Sequence, residues 1–109
     1  MIIAIAGPYS ANTENQRKIN LSRLNDVAVK ILEKGHIPVI GVNASLPVVE
    51  KINNSNQREI IMKISMAVMK ACDAILVIAE SPGANQEKEY FKAKGFPVFH
   101  SLEEIPEIN

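Results

Sequence analysis

Glu87 is the residue whose type and spacing best suit it to do chemistry. It falls three residues after Ala84 and four before Phe91, so on a helix these three share one face while Glu89 points roughly the opposite way. The helix is read over about residues 84 to 94, after the loop Glu80-Ser81-Pro82-Gly83. A carboxylate held inward in its first turn is expected to be ionised and aimed at bound ligand by the helix dipole, where it serves as nucleophile or general base. The plain alternative is a first-turn glutamate that only stabilises its own helix. A second candidate is the turn Gly7-Pro8-Tyr9-Ser10. Its aromatic ring, phenol and small hydroxyl can stack on or hydrogen-bond a small ring or sugar, although turns use these residue types anyway.

Other chemistries find less support. No G-x-G-x-x-G follows the first apolar run and no G-x-x-x-x-G-K-[ST] occurs, so neither a dinucleotide cofactor nor P-loop chemistry is expected, and no cofactor is implied. His36 and His100 stand far apart, without Cys or carboxylate at ligand spacing, and read as structural or surface residues; no metal site is implied. Cys72 reads as a small buried apolar residue.

The elements that must position these groups alternate between short apolar runs and longer stretches of helical period, as in a parallel sheet covered by helices on both faces. The first strand is Ile2 to Ala6. A capping box at Thr13-Glu14-Asn15-Gln16 then opens a helix whose inward stripe is Leu21, Leu24, Val27, Ala28, Ile31 and Leu32, with Gly35 as its left-handed C-terminal cap. A second strand runs from His36 to Ile40. Residues 41 to 55 form a long connection with a short helix at Pro47 to Ile52, and the polar patch Asn53 to Gln57 reads as a surface loop. A helix from about Gln57 to Cys72 leads to a third strand, Ala74 to Ala79, and the last helix passes through Gly95 into a fourth, Phe96 to Phe99.

Proline cannot donate to a sheet ladder, so Pro38 and Pro97 mark edge strands, while the purely apolar first and third runs suit the centre. The resulting fold class is α/β, an open parallel four-stranded sheet of order 2-1-3-4, flavodoxin- or Rossmann-like. Its winding changes direction between strands one and three. Ligands of open α/β sheets bind in that crevice at the carboxyl ends of the strands, where the loops at Gly7 and Ser81 meet.

The helix at 57 to 72 carries two apolar stripes. Ile60, Ile61, Ile64, Ala67, Val68 and Ala71 read as the core face, and Met62, Met66 and Met69 as a second face. The methionines either pack beneath the 41 to 55 connection or form a subunit interface, which makes a homodimer or larger assembly the expected state.

The 109 residues are 47% hydrophobic, with 12 basic against 12 acidic side chains, and suit one domain over 1–109. Zero net charge gives no footprint for polymeric nucleic acid or an anionic membrane. Gly7-Pro8 interrupts the apolar N-terminal run far below spanning length. One cysteine forms no intrachain bridge and fits a reducing, cytoplasmic setting.

Taken together, Gly7-Pro8-Tyr9-Ser10, Gly35-His36-Ile37-Pro38, Cys72-Asp73-Ala74-Ile75-Leu76, Ser81-Pro82-Gly83-Ala84-Asn85-Gln86-Glu87 and Gly95-Phe96-Pro97-Val98 resemble the nucleoside 2-deoxyribosyltransferase-like superfamily over nearly the whole chain, nearest to its small uncharacterised members. The resemblance implies that Glu87, in the G-[TA]-x-x-E stretch, attacks the anomeric carbon of a nucleoside or nucleoside monophosphate. The intermediate formed would be a glycosyl-enzyme, resolved by water or a second base. It implies that Tyr9 and Ser81 position the glutamate and substrate, and that Gly7, Pro8, Ser10, Gly83 and Ala84 complete the substrate site. Ala4, Ser65 and Glu89 depart from that family's pattern and carry the alternative, a nucleotide-binding module of the same fold without turnover. Arg17 and Lys18 are the basic residues nearest the first loop in sequence.

Overall fold

The computed structural model describes residues 1–52 and 56–108. Four strands, β1 (Ile2–Ala6), β2 (Ile37–Val39), β3 (Ala74–Val77) and β4 (Val98–Phe99), form one parallel sheet of order β2-β1-β3-β4. Side-chain alternation along β1 and β3 sends Ile3, Ile5, Ala74 and Leu76 to one face and Ala4, Ala6, Ile75 and Val77 to the other. Helix α1 (Glu14–Glu33) covers the first face through Leu24 and Ile31, joined by Ile105 from near the C-terminus. Helices α3 (Gln57–Met69) and α4 (Pro82–Ala93) cover the second through Met69, Ala84 and Phe91. The edge strands are short. Pro38 sits within β2, and Pro97 precedes β4, contributing its carbonyl to Ile75 N–H.

Two helix ends show how local sequence sets these elements. After α1, Gly35 takes φ +92°, its N–H bonds to the Leu32 carbonyl, and His36 N–H bonds to the Ile31 carbonyl, a Schellman closure that needs a residue free of the Cβ penalty. Gly95 closes α4 in the same way, with Phe96 N–H on the Phe91 carbonyl. At the start of α1 only half of the expected capping box forms. Thr13 Oγ1 accepts from Gln16 N–H at 3.1 Å, but the Gln16 side chain donates forward to Asn20 Oδ1 at 2.9 Å instead of back to Thr13. Leu32, expected in the inward stripe, is 58% exposed, because the stripe ends with Ile31.

The middle of the chain departs most from the reading of its sequence. Helix α2 spans Gly41–Val49, six residues ahead of the expected start, and Pro47 lies inside it rather than at its first turn. Its backbone therefore leaves β2 directly into helix. Of the expected loop at 53–57, residues 53–55 fall outside the described residues and Gln57 already begins α3. The two stripes of α3 are also reassigned. Ser65 and Met69 are its buried residues, whereas Ala67 and Ala71 are exposed and Ile60, Ile61, Ile64 and Val68 half-buried. Of the three methionines only Met69 is turned to the sheet; Met62 and Met66 are half-buried on open grooves. Because α2 packs along α3 as well, the helix has two covered sides and needs apolar groups on both.

His36, 1% exposed, clasps the periphery. Its Nε2 donates to the Pro106 carbonyl at 2.6 Å, leaving Nδ1 to accept from the Met1 amino group at 3.0 Å. Cys72 is buried, and burial with Asp73 beside it pushes its thiol up to about 11. Among the described residues no helix is long and apolar enough to cross a membrane, and no three His, Cys, Asp or Glu side chains gather as a metal-ligand group.

Phe91 anchors the second core layer at 0% exposure, edge-on to Tyr90 and 6.2 Å from the Phe96 ring. Phe91→Ala is expected to cost ~3–5 kcal/mol in urea unfolding, against about 1 kcal/mol or less for Phe96→Ala at the 40% exposed ring.

Candidate functional site

The chain leaves β1 toward α1 on one face and leaves β3 toward α4 on the other, so the carboxyl ends of the two central strands open into a crevice. A cavity of about 330 Å³ lies there, near the lower end of the range for small-molecule sites. Gly7, Pro8, Tyr9 and Ser10 form one wall and Ser81, Gly83, Ala84 and Glu87 another. Every residue singled out in the sequence for this site therefore meets at one place.

The β1 loop is held by α1 rather than by its own turn. Asn20, 8% exposed, donates from Nδ2 to the Tyr9 carbonyl at 2.9 Å, and Arg17 Nη1 donates to the Ala11 carbonyl at 2.8 Å. Arg17 is thereby tied to the loop backbone, and Lys18 faces Glu14 on the exposed side of α1. Neither lines the crevice. The cation that does is Arg58, exposed at the start of α3. Arg58, Met62, Ser65 and Met69 follow one another at i, i+4, i+7 and i+11, a single helical stripe running from the mouth of the crevice to the core. That spacing is visible in the sequence once the helix is turned the right way round.

On the opposite wall, Ser81 is the N-cap of α4. Its Oγ accepts from Ala84 N–H at 3.1 Å, which fixes the first turn; its hydroxyl hydrogen remains free to donate. The N–H of Gly83, second in the helix, has no carbonyl one turn back to bond. It lines the cavity with the Met62 thioether close by.

Glu87 sits deeper. The helix begins at Pro82, so Glu87 is its sixth residue and lies beyond the first turn in which the helix dipole acts. It is 8% exposed, and Oε2 has no hydrogen-bond partner among the described residues. Desolvation consequently outweighs the dipole and raises the carboxyl from 4.5 to about 7. The expectation of an ionised first-turn carboxylate is corrected on both points: the group lies past the first turn, and burial favours its protonated form.

The fold and crevice together define an open α/β protein with a cavity at its switch point. Residues 1–101 match a family model described as a domain of unknown function, DUF7768, and the chain belongs to that family. No curated protein matches the chain. Among solved structures, a 2-deoxyribosyltransferase from the psychrotolerant bacterium Bacillus psychrosaccharolyticus shares the fold. Its TM-score is 0.66 at 20% identity, over 90% of this chain and 69% of that one.

The buried carboxyl ties stability to pH. Its folded pKa lies above the ordinary value, so its contribution is fully present below pH 4.5 and is lost as pH rises through about 7. Glu87→Gln removes this loss and is expected to be more stable than the native chain by about 3 kcal/mol at pH 8, since each tenfold change in proton affinity is worth about 1.4 kcal/mol. In urea unfolding the advantage should shrink toward pH 4.5; a gap of constant size would show that desolvation of the anion is not its source.

Proposed function

We propose that the chain cleaves the N-glycosidic bond of a nucleoside or nucleoside monophosphate, with Glu87 as the nucleophile. One observation carries the reading: a buried carboxyl with an unpartnered oxygen, at the switch point, on a cavity sized for a small ligand. The likeness of fold to a 2-deoxyribosyltransferase supports the choice of substrate. So does the G-[TA]-x-x-E stretch ending at Glu87.

The chemistry follows from the surroundings. A buried carboxyl whose pKa is raised is driven to its anion when positive charge develops beside it, and the sugar's anomeric carbon gains that charge as its base departs. The Glu87 carboxylate forms a bond to that carbon while the C–N electron pair leaves with the base, which takes a proton from solvent. Water then adds to the same carbon from the vacated face and loses a proton, and Glu87 departs as carboxylate. A second base in place of water gives transfer. Tyr9, fixed through Asn20, and the free hydroxyl hydrogen of Ser81 orient the substrate.

Arg58 at the mouth suits an anionic group, which favours the monophosphate. Binding without turnover is the second reading, favoured by the raised pKa of Glu87 and by an uncharged Ser65 on the facing wall. A copy of the chain seated on α3 at Met66, half-buried on the open groove beside the mouth, would roof the site.

Incubation with deoxynucleosides and their monophosphates should release free base, with kcat/KM rising with pH toward a plateau above about 7. Glu87→Gln should lower kcat by at least about 10³-fold. Release that survives this substitution removes the glutamate from the reaction, and binding without release selects the second reading. Arg58→Gln should raise KM for the monophosphate about tenfold and leave the nucleoside unchanged. Light scattering should report a dimer or larger that Met66→Lys breaks; a native monomer at micromolar concentration would remove the roofing copy.

A further inference from the structure

Helix α3 turns one polar side chain inward without an evident partner. Ser65 is 2% exposed, and its Oγ, like Glu87 Oε2, has no hydrogen-bond partner among the described residues. Both side chains line a second, smaller recess of about 20 Å³ behind the crevice. Its remaining walls include Ile5, Leu24, Ile40 and Met69, and Glu87 is the one ionisable side chain on it. A space of that volume with polar atoms on its wall admits one water.

Packing alone explains only the size of Ser65. A Cβ on Gly41 would come within 2.6 Å of Ser65 Cβ and 2.8 Å of its Cα, so α2 and α3 touch almost backbone to backbone at this pair. Alanine would meet that demand as well as serine and would bring no buried polar atom. The hydroxyl needs another reason.

The geometry points to Ser65 as a positioning residue for Glu87, its hydroxyl holding one ordered water in the recess that in turn donates to Glu87 Oε2. This recess lies on the core side of the carboxyl. The departing base vacates the opposite face of the sugar, so the held water is not the one that completes hydrolysis. It fixes the rotation of the carboxyl, leaving the other oxygen for the crevice, and lowers the cost of the anion by donating to it. Tyr9 and Arg58, the other ionisable groups on the crevice, do not reach the recess, and β1, α2 and β3 carry no charged side chain. The inference rests on the proposed function only for what the carboxyl is used for, since the water and its effect on titration exist without substrate.

The test is a ¹³C NMR titration of the Glu87 carboxyl in the substrate-free native chain and in Ser65→Ala, its resonance assigned by loss in Glu87→Gln. Ser65→Ala is expected to move the midpoint upward by about 0.5 to 1 on the pH scale, the worth of one hydrogen bond to the anion. A high-resolution crystal structure of the native chain should hold a water within hydrogen-bond distance of both side chains. An unchanged midpoint overturns the inference, even where Ser65→Ala lowers Tm, because lost packing alone would do that. A dry recess in the native chain overturns it even if the variant does not fold. A raised midpoint without base release upholds the water while removing the glycosidic reading; base release with an unmoved midpoint removes the water alone.

Discussion

β1 and β3 pair at the centre of the sheet, with Ala6 opposite Val77 and both strands buried on either face. Because a parallel strand must be left by a crossover, and the crossovers that leave β1 and β3 take opposite faces, the chain cannot close over the carboxyl ends of these two strands. The crevice is therefore a consequence of strand order. It needs no separate scaffold in a short chain, and its two walls inherit the rigidity of the helices that start or dock there. Asn20 on α1 pins the β1 loop, and Ser81 caps the start of α4.

Within that frame, Glu87 runs against stability. A carboxyl at 8% exposure with an orphaned oxygen costs folding energy once it ionises. Glutamine in its place would be cheaper above neutral pH. Such a cost is the usual mark of a group kept for what it does rather than for what it holds together. Arg58 stands at the outer end of the facing α3 wall, so the crevice grades from a cation at its mouth, through the thioether of Met62, to the carboxyl and Ser65 at its base. Those residues suit a ligand with an anionic end and an apolar or aromatic body.

Much of this was legible in the sequence, for identifiable reasons. Strand order followed from Pro38 and Pro97 at the edges and from unbroken apolar runs at the centre. The inward turn of Glu87 followed from its spacing to Ala84 and Phe91. These signals are local, and local signals survive folding. The start of α2 was not legible, because Gly41 reads as a breaker until α3 is known to lie against it, and because Pro47 resembles a helix start when it actually lies inside one. The rotation of α3 was hidden by apolar residues on two sides, each with its own neighbour. Arg58 was hidden for the same reason, being far in sequence from either loop and on the correct stripe only after that rotation is fixed. The depth of Glu87 depended on where α4 begins, and two residues there separate a dipole-stabilised carboxylate from a desolvated one.

The central claim is that Glu87 forms a bond to the sugar. Its most direct test is intact-protein and peptide mass spectrometry after incubation with a 2′-fluoroarabino nucleoside monophosphate, whose fluorine slows hydrolysis of a glycosyl-enzyme. An added mass equal to that of the fluorinated nucleotide less its free base is expected, carried by the peptide that contains Glu87 and absent from Glu87→Gln. Free base appearing with no adduct, or an adduct on another residue, would contradict it.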